Sequence, residues 1–355
     1  MTGKQIVVLG AGYAGLATAT EVGRQHRAML VAPEGRFAHR IRQHETAAGH
    51  GAPWPTIAQL LRGRQVEHRQ ARATEIDLTG RKVCLDSGET VPYDTLVYAL
   101  GSRTAWHGVP GAAEHAYSAE RAAELHRRLT AAGRPGTVAV VGGGATGIEL
   151  AAELAEAYPR WQVRIAAAGQ VGGWFSPKGR AHILRVFGRL GVHVDEHQPV
   201  TAVTERGLRT DRGTIDAEIT AWAASLEPLP LAADAGLAVD AQGRAVVDEY
   251  LRSTSHPDVH VIGDAASATV PGIGTLRMGC ATALPMGRYL GRLLTGRTTE
   301  PFDFRYVVQC LSLGRRDGLL QLVHPDDSMR PTVLTRAAGR LAKAAIVGGV
   351  LGALR

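Results

Sequence analysis

The chain of 355 residues carries only three cysteines, Cys84, Cys280 and Cys310, which fall in no CxxC or metal-ligand spacing. A disulfide framework, a dithiol relay and a metal site are therefore not expected. Aromatic residues make up 5% and the basic residues are scattered, so a net charge of +7 and a pI near 9.6 do not predict a nucleic-acid surface. No apolar run is long enough for a membrane span, and the best of them, Ala344 to Leu354, falls well short. Low-complexity segments and solenoid periods are absent. The chain enters its first strand by about residue 5, which leaves no room for a signal peptide, and a cytoplasmic location is expected. With 45% hydrophobic and 21% charged residues, what remains is a globular chain of two or three domains.

Glycine, by contrast, is plentiful, and it recurs in two turns of one pattern, Gly10-Ala-Gly12-Tyr-Ala-Gly15 and Gly142-Gly-Gly144-Ala-Thr-Gly147. Each follows an apolar, β-branched run, Gln5 to Leu9 and Thr137 to Val141, that reads as a buried parallel strand. Each precedes a helical pattern, Leu16 to Val22 and Ile148 to Leu154. In such a strand–turn–helix unit the first glycine permits the turn, the second lets backbone approach a pyrophosphate, and the third lets helix pack on strand. The helix N-terminus supplies amide donors and positive potential. Two such units predict two bound nucleotides.

Between the turns the chain reads as one nucleotide unit interrupted by another. A loop dense in arginine and histidine, Arg36 to His44, is followed by a short helical stretch near Thr56 to Arg62. Glu75 to Leu78, Lys82 to Leu85 and Glu89 to Tyr93 then form a meander, and Thr95 to Gly101 a buried strand. The second unit begins near residue 104, with a helix around Glu120 to Ala131, its own meander near Val200 to Ile215 and a closing strand Ile219 to Ala224. Val259 to Asp264 is another buried strand ending in an acid, and a helix follows from about Thr282 to Leu294. The boundaries expected are 1–103 and 229–300 for the interrupted domain, 104–228 for the inserted one, and 301–355 for a C-terminal region.

At this point the motifs resemble those of the two-dinucleotide-binding-domain flavoproteins, and most of all type II NADH dehydrogenases and related actinobacterial FAD-dependent oxidoreductases. The resemblance spans about residues 1 to 325 and rests on Val141 to Leu150, Tyr93 to Ser102, Ile262-Gly-Asp264 and Leu313 to Gly318. It implies an α/β fold with two Rossmann-like domains, an FAD domain interrupted by an NAD(P) domain, and a small C-terminal segment. It also implies an enzyme that takes hydride from NAD(P)H onto FAD and passes electrons to a quinone-like or small-metabolite acceptor. A tailoring flavoenzyme for a specialised metabolite, and a flavoprotein redox sensor or interaction module, stay open beside that reading.

The resemblance assigns residues as well. FAD would be held by Gly10, Gly12, Tyr13, Ala14 and Gly15, with Glu34, Arg42, Ala73, Ala99 and Gly101 lining its path. Gly263 and Asp264 would meet the ribityl hydroxyls. Main chain around Cys280, Ala281, Thr282 and Ala283, opening a helix, would face the flavin pyrimidine edge, where donors and dipole stabilise charge on reduction. Gly142, Gly144 and Thr146 would hold the nicotinamide nucleotide. Glu149, Arg42, His44 and Cys280 are the candidate catalytic residues.

Departures from the pattern are informative. The acid that usually ends the second strand to bind a ribose hydroxyl is replaced by Ala32, with Glu34 two residues on, and Val163 to Gly169 in the second unit also lacks one. NADH and NADPH are therefore not distinguished. In place of the glutamine-bearing quinone motif stands Gly279 to Gly287, with Pro285 expected in the first helical turn. Arg40, Arg42 and His44 alternate with Ile41 and Gln43, which in an extended segment puts all three on one face. Residues 333 to 345 read as a basic amphipathic helix, Arg336, Arg340 and Lys343 lying opposite Leu334, Ala338 and Leu341. Peripheral contact with the inner face of a membrane through this helix, or a homodimer, is the expectation it raises.

Overall fold

In the computed structural model, residues 4–51 and 54–354 are described, and two parallel five-stranded sheets organise them. The first runs Val259–Val261, Thr95–Tyr98, Ile6–Leu9, Ala28–Val31, Val66–Arg69, all parallel. The second runs His193–Asp195, Gln162–Ala166, Thr137–Val141, Ile219–Trp222, Ala116–Ser118, again all parallel. In each, the strand feeding the glycine turn is central and buried on both faces, as its unbroken apolar run requires. Both expected meanders are antiparallel three-stranded sheets, Ala73–Asp77 with Lys82–Leu85 and Thr90–Pro92, and Val200–Thr204 with Gly207–Thr210 and Gly213–Asp216.

The two units are joined by a short antiparallel ribbon in which Ser102–Thr104 pairs with Leu226–Pro228, where the chain leaves the first sheet and later returns. Helix Cys280–Leu294 then crosses helix Tyr13–Val22 at close range. Gly287 makes this crossing possible: a Cβ there would overlap the Ala14 carbonyl. Thr18 Oγ1 ties the crossing by donating to the carbonyls of Gly287 at 2.9 Å and Ala14 at 3.1 Å. This contact brings the N-termini of both helices to one region beneath the first sheet's strand ends.

The C-terminal region is a sheet of Val308–Ser312, Gly318–Val323 and Met329–Thr335, followed by helix Arg336–Gly352. The expected amphipathic helix over 333 to 345 is thus corrected. Its first residues are strand, because Leu334 pairs with Leu320 and Val333 with Gln321. The basic face is broken as well, since Lys343 turns inward while Arg336 and Arg340 stay exposed.

Candidate nucleotide and redox site

The two glycine turns fold alike, atom for atom in their constraints. Gly10 and Gly142 have φ of +98° and +115°, a region that disfavours side chains, and a Cβ on either would overlap the facing carbonyl of Ala99 or Ala223. Gly15 and Gly147 sit where a Cβ would overlap the carbonyl of Gly10 or Gly142, so helix and turn touch backbone to backbone. Gly12 and Gly144 are different: a Cβ on either would meet nothing within 4 Å. The middle glycines therefore border open space at a helix N-terminus.

Those N-termini are bare. Helices Tyr13–Val22, Ala145–Ala157 and Cys280–Leu294 begin after Gly12, Gly144 and Gly279, and none has a side-chain cap. Two other helices do carry side-chain caps: Thr56 and Gln59 form a capping box, and Ser176 accepts from the Gly179 N–H. Three uncapped starts with free N–H donors suit an external acceptor, and a dinucleotide pyrophosphate and a flavin pyrimidine edge supply such acceptors.

Around the first turn the cradle extends in both directions. A cavity of about 250 Å³ is lined by Val31, Pro33, Ala73, Leu100 and Leu231, at the strand ends where the adenosine half of a dinucleotide lies. Ala73 lines this cavity, whereas Glu34 stands on the exposed loop beyond it. Toward the other end, Asp264 accepts from Ser102 Oγ and from the Gly279 N–H, both at 2.7 Å. The carboxylate thereby links the interdomain ribbon to the start of helix Cys280–Leu294 and keeps lone pairs to spare. Pro285 falls in the second turn of that helix, not the first as expected. Lacking an N–H, it releases the Ala281 carbonyl from the helical ladder.

The basic loop is not extended. Arg40–Arg42 is a 3₁₀ turn and Gln43–Ala47 a helix, so the three residues expected on one face go three ways. Arg40 donates to the Ser102 carbonyl and to Glu120 Oε1. Arg42 forks onto Glu45 at 2.6 and 2.8 Å and lies over the Trp54 ring. His44 is buried with Nδ1 3.8 Å from Glu149 Oε2, and burial, followed by the charge of Lys343, holds its pKa well below the usual imidazole range. Tyr13 bonds His39 Nδ1 at 2.8 Å, and burial raises its phenol pKa.

Glu149, 8% exposed, stands just beyond the first turn of helix Ala145–Ala157 and is a junction. It accepts from the Ser312 N–H at 2.8 Å and from Lys343 Nζ, so helix, C-terminal sheet and C-terminal helix meet on one carboxylate. Burial pushes the Lys343 ammonium down to about 7, against the opposing pull of the Glu45 carboxylate. Cys280 and Cys310, unrelated by spacing, are brought near each other; burial and then Cys280 push the Cys310 thiol up to about 12. In the second unit the missing ribose acid leaves Ala167 buried and Ala168 exposed. A carboxylate does approach that loop, from the next strand: Glu196 accepts from the Val171 N–H at 2.7 Å.

Sequence reasoning missed Lys343, Ser102, Glu196, Glu45 and Arg315. Lys343 was assigned to a solvated face by its spacing from Arg336 and Arg340, and only the long-range packing of the last helix shows otherwise. Ser102 had a signal, standing one residue past the glycine that ends its strand.

Fold and site together define a flavin- and pyridine-nucleotide-type oxidoreductase with two dinucleotide cradles. The chain belongs to the pyridine nucleotide-disulphide oxidoreductase family, whose model matches residues 4–286. An NADH dehydrogenase-like protein of Mycobacterium tuberculosis is 31% identical over 320 residues, covering 81% of this chain and 79% of that protein. A type II NADH:quinone oxidoreductase of Staphylococcus aureus is 26% identical over 361 residues, covering 89% of each. Among solved structures, NDH2 of Plasmodium falciparum in complex with NADH superposes with a TM-score of 0.83 at 15% identity, over 98% of this chain and 94% of that one.

Proposed function

We propose that the protein is an FAD-dependent NAD(P)H oxidoreductase that delivers electrons to a quinone-like acceptor. The observation that carries this reading is the set of three bare, glycine-started helices, two of them behind matching glycine turns and the third held at its start by Asp264. FAD, when bound, accepts hydride and gives up electrons one or two at a time, and that chemistry belongs to the cofactor.

This chain's residues bind and orient. The N–H groups behind Gly12, with Tyr13, Ala14 and Gly15, hold the FAD pyrophosphate, and Asp264 takes the ribityl hydroxyls. The Cys280 and Ala281 amides, at the start of their helix, would face the pyrimidine edge and support negative charge there. Gly142, Gly144 and Thr146 hold the nicotinamide nucleotide. Glu149 and Lys343 exchange a proton beside the place where donor and acceptor meet, Glu149 being a buried acid in reach of an amine pushed down toward neutrality. His44 orients Glu149. Arg42, turned onto Glu45, holds the loop that carries His44 and does not face the cofactor. The working division is 1–103 with 229–300 for FAD, 104–228 for NAD(P)H and 301–355 for the acceptor side, supported by the sheet order and the single joining ribbon.

No helix among the described residues is long and apolar enough to cross a membrane. Leu334, Leu341 and Ile346 are nevertheless exposed beside Arg336 and Arg340. We read this face as peripheral membrane contact, with a second copy of the chain as the competing occupant. The core proposal is tested by denaturing purified protein and identifying the released cofactor: FAD at one per chain supports it, and a chain that cannot be loaded with FAD refutes it.

A further inference from the structure

Glu153 and His50, close to Glu149, have no part in that mechanism. Glu153, one helical turn on, has a side chain with no exposed surface. Its Oε1 meets His50 Nδ1 at 3.0 Å and Arg315 Nε at 3.3 Å, while its Oε2 has no partner among the described residues. On the other flank of Glu149, His44 Nε2 is likewise buried and unpartnered. His50, its side chain 37% exposed, opens the group to solvent.

A buried polar atom without a partner is unfavourable, and a bound water relieves it. His44 Nε2, on the ring that approaches Glu149, and Glu153 Oε2, one helical turn along, are polar partners of the kind a bound water needs. Charge around Glu153 comes from every packed element: Glu45 and His50 from the helix Gln43–Ala47 and its following loop, Arg315 from the C-terminal turn, and Glu149 and Glu156 from its own helix. Lys343 lies beyond Glu149, and His126 of helix Ala122–Ala131 is engaged with the Tyr158 hydroxyl at 2.6 Å. Burial, the largest influence, raises the Glu153 pKa against the pull of His50 and Arg315, so this carboxyl binds a proton more readily than a surface one.

We propose that His50 and Glu153 are the solvent end of a proton-entry chain that reaches Glu149 through water held beside His44. The proposal rests on the function above and supplies what its stoichiometry requires. Hydride from NAD(P)H carries two electrons and one proton, whereas reducing a quinone to a hydroquinone takes two electrons and two protons. One proton per turnover comes from solvent: NAD(P)H + H⁺ + quinone gives NAD(P)⁺ + hydroquinone. It passes from His50 Nδ1 to Glu153 Oε1 and is handed on from the Oε2 side through water to Glu149.

The test compares wild-type holoenzyme with Glu153→Gln and His50→Ala. Anaerobic flavin bleaching by NADH and electron transfer to ferricyanide, which takes no proton, are expected to stay at wild-type rates. Reduction of menadione is expected to slow by roughly 10-fold or more, with a flattened pH profile, and added imidazole is expected to restore His50→Ala. Independently of turnover, infrared spectra are expected to show a protonated-carboxyl band that titrates above the range of surface carboxylates and is lost in Glu153→Gln. Unchanged menadione rates and pH profile, equal slowing with ferricyanide, or no such band overturns the proposal. Wild-type protein that neither NADH nor NADPH bleaches overturns the underlying function instead.

Discussion

Lys343, in the last helix, reaches across to Glu149 near the start of the second nucleotide helix, and both side chains are largely buried. Replacing Lys343 by Met leaves the Glu149 carboxylate buried without its counter-ion, which is expected to cost about 3 kcal/mol or more of folding stability. Glu149→Gln in the same chain is expected to return most of that loss. Chemical denaturation of both variants checks this, and a single variant as stable as wild type contradicts the pairing.

The glycine cradles predict opposite outcomes for one chemical change. Gly12→Ala meets open space, so the chain is expected to fold with an unchanged apo-protein Tm but retain FAD at least roughly 10-fold more weakly, about 1.4 kcal/mol. Gly15→Ala drives a methyl into the Gly10 carbonyl and is expected to reduce folded yield. Gly144→Ala is expected to leave a yellow protein with weakened nucleotide binding. Flavin content and thermal melts separate the three.

Acid stability follows from histidines buried in the neutral form. Burial lowers the pKa of His39 and of His260 to about 4, and that of His44 well below its usual range. Between those values and about 6.5 the unfolded chain binds more protons than the folded one, so stability rises with pH across that window. It is fully present above about pH 6.5, and each such group removes up to about 1.4 kcal/mol per pH unit on the way down. His260→Asn is expected to flatten this limb in equilibrium unfolding measured from pH 7 to pH 4, and an unchanged slope contradicts the assignment.

Truncating the last helix is a poor test of membrane contact, because it also removes Lys343 and leaves Glu149 without its counter-ion. Leu341→Glu with Ile346→Glu changes only exposed positions. This variant is expected to co-sediment less with anionic vesicles at unchanged Tm. Equal partitioning of variant and wild type, with a loss of self-association instead, assigns the face to a second copy of the chain.

The nucleotide units were legible because their signals are local. A buried strand, three glycines and a helix fall within twenty residues, and each glycine answers a steric demand visible in sequence spacing. The basic loop was misread because alternation in Arg40, Ile41, Arg42 and Gln43 fits an extended strand, whereas tertiary bonds from Arg40 to Ser102 and Glu120, and the local Arg42–Glu45 pair, accompany helical turns. Lys343 and Arg315 were illegible for a different reason. Their partners, Glu149, Glu45 and Glu153, lie far away in sequence, and a long basic side chain reads as solvated unless its burial is known. The proximity of Cys280 and Cys310 was hidden in the same way.

The central claim is that both cradles work, one for FAD and one for a nicotinamide nucleotide that reduces it. Anaerobic mixing of FAD-loaded protein with NADH, and separately with NADPH, while flavin absorbance is followed, tests this directly. Bleaching by at least one of them, lost in Gly144→Ala, is the result predicted. Flavin that stays oxidised with both contradicts the account.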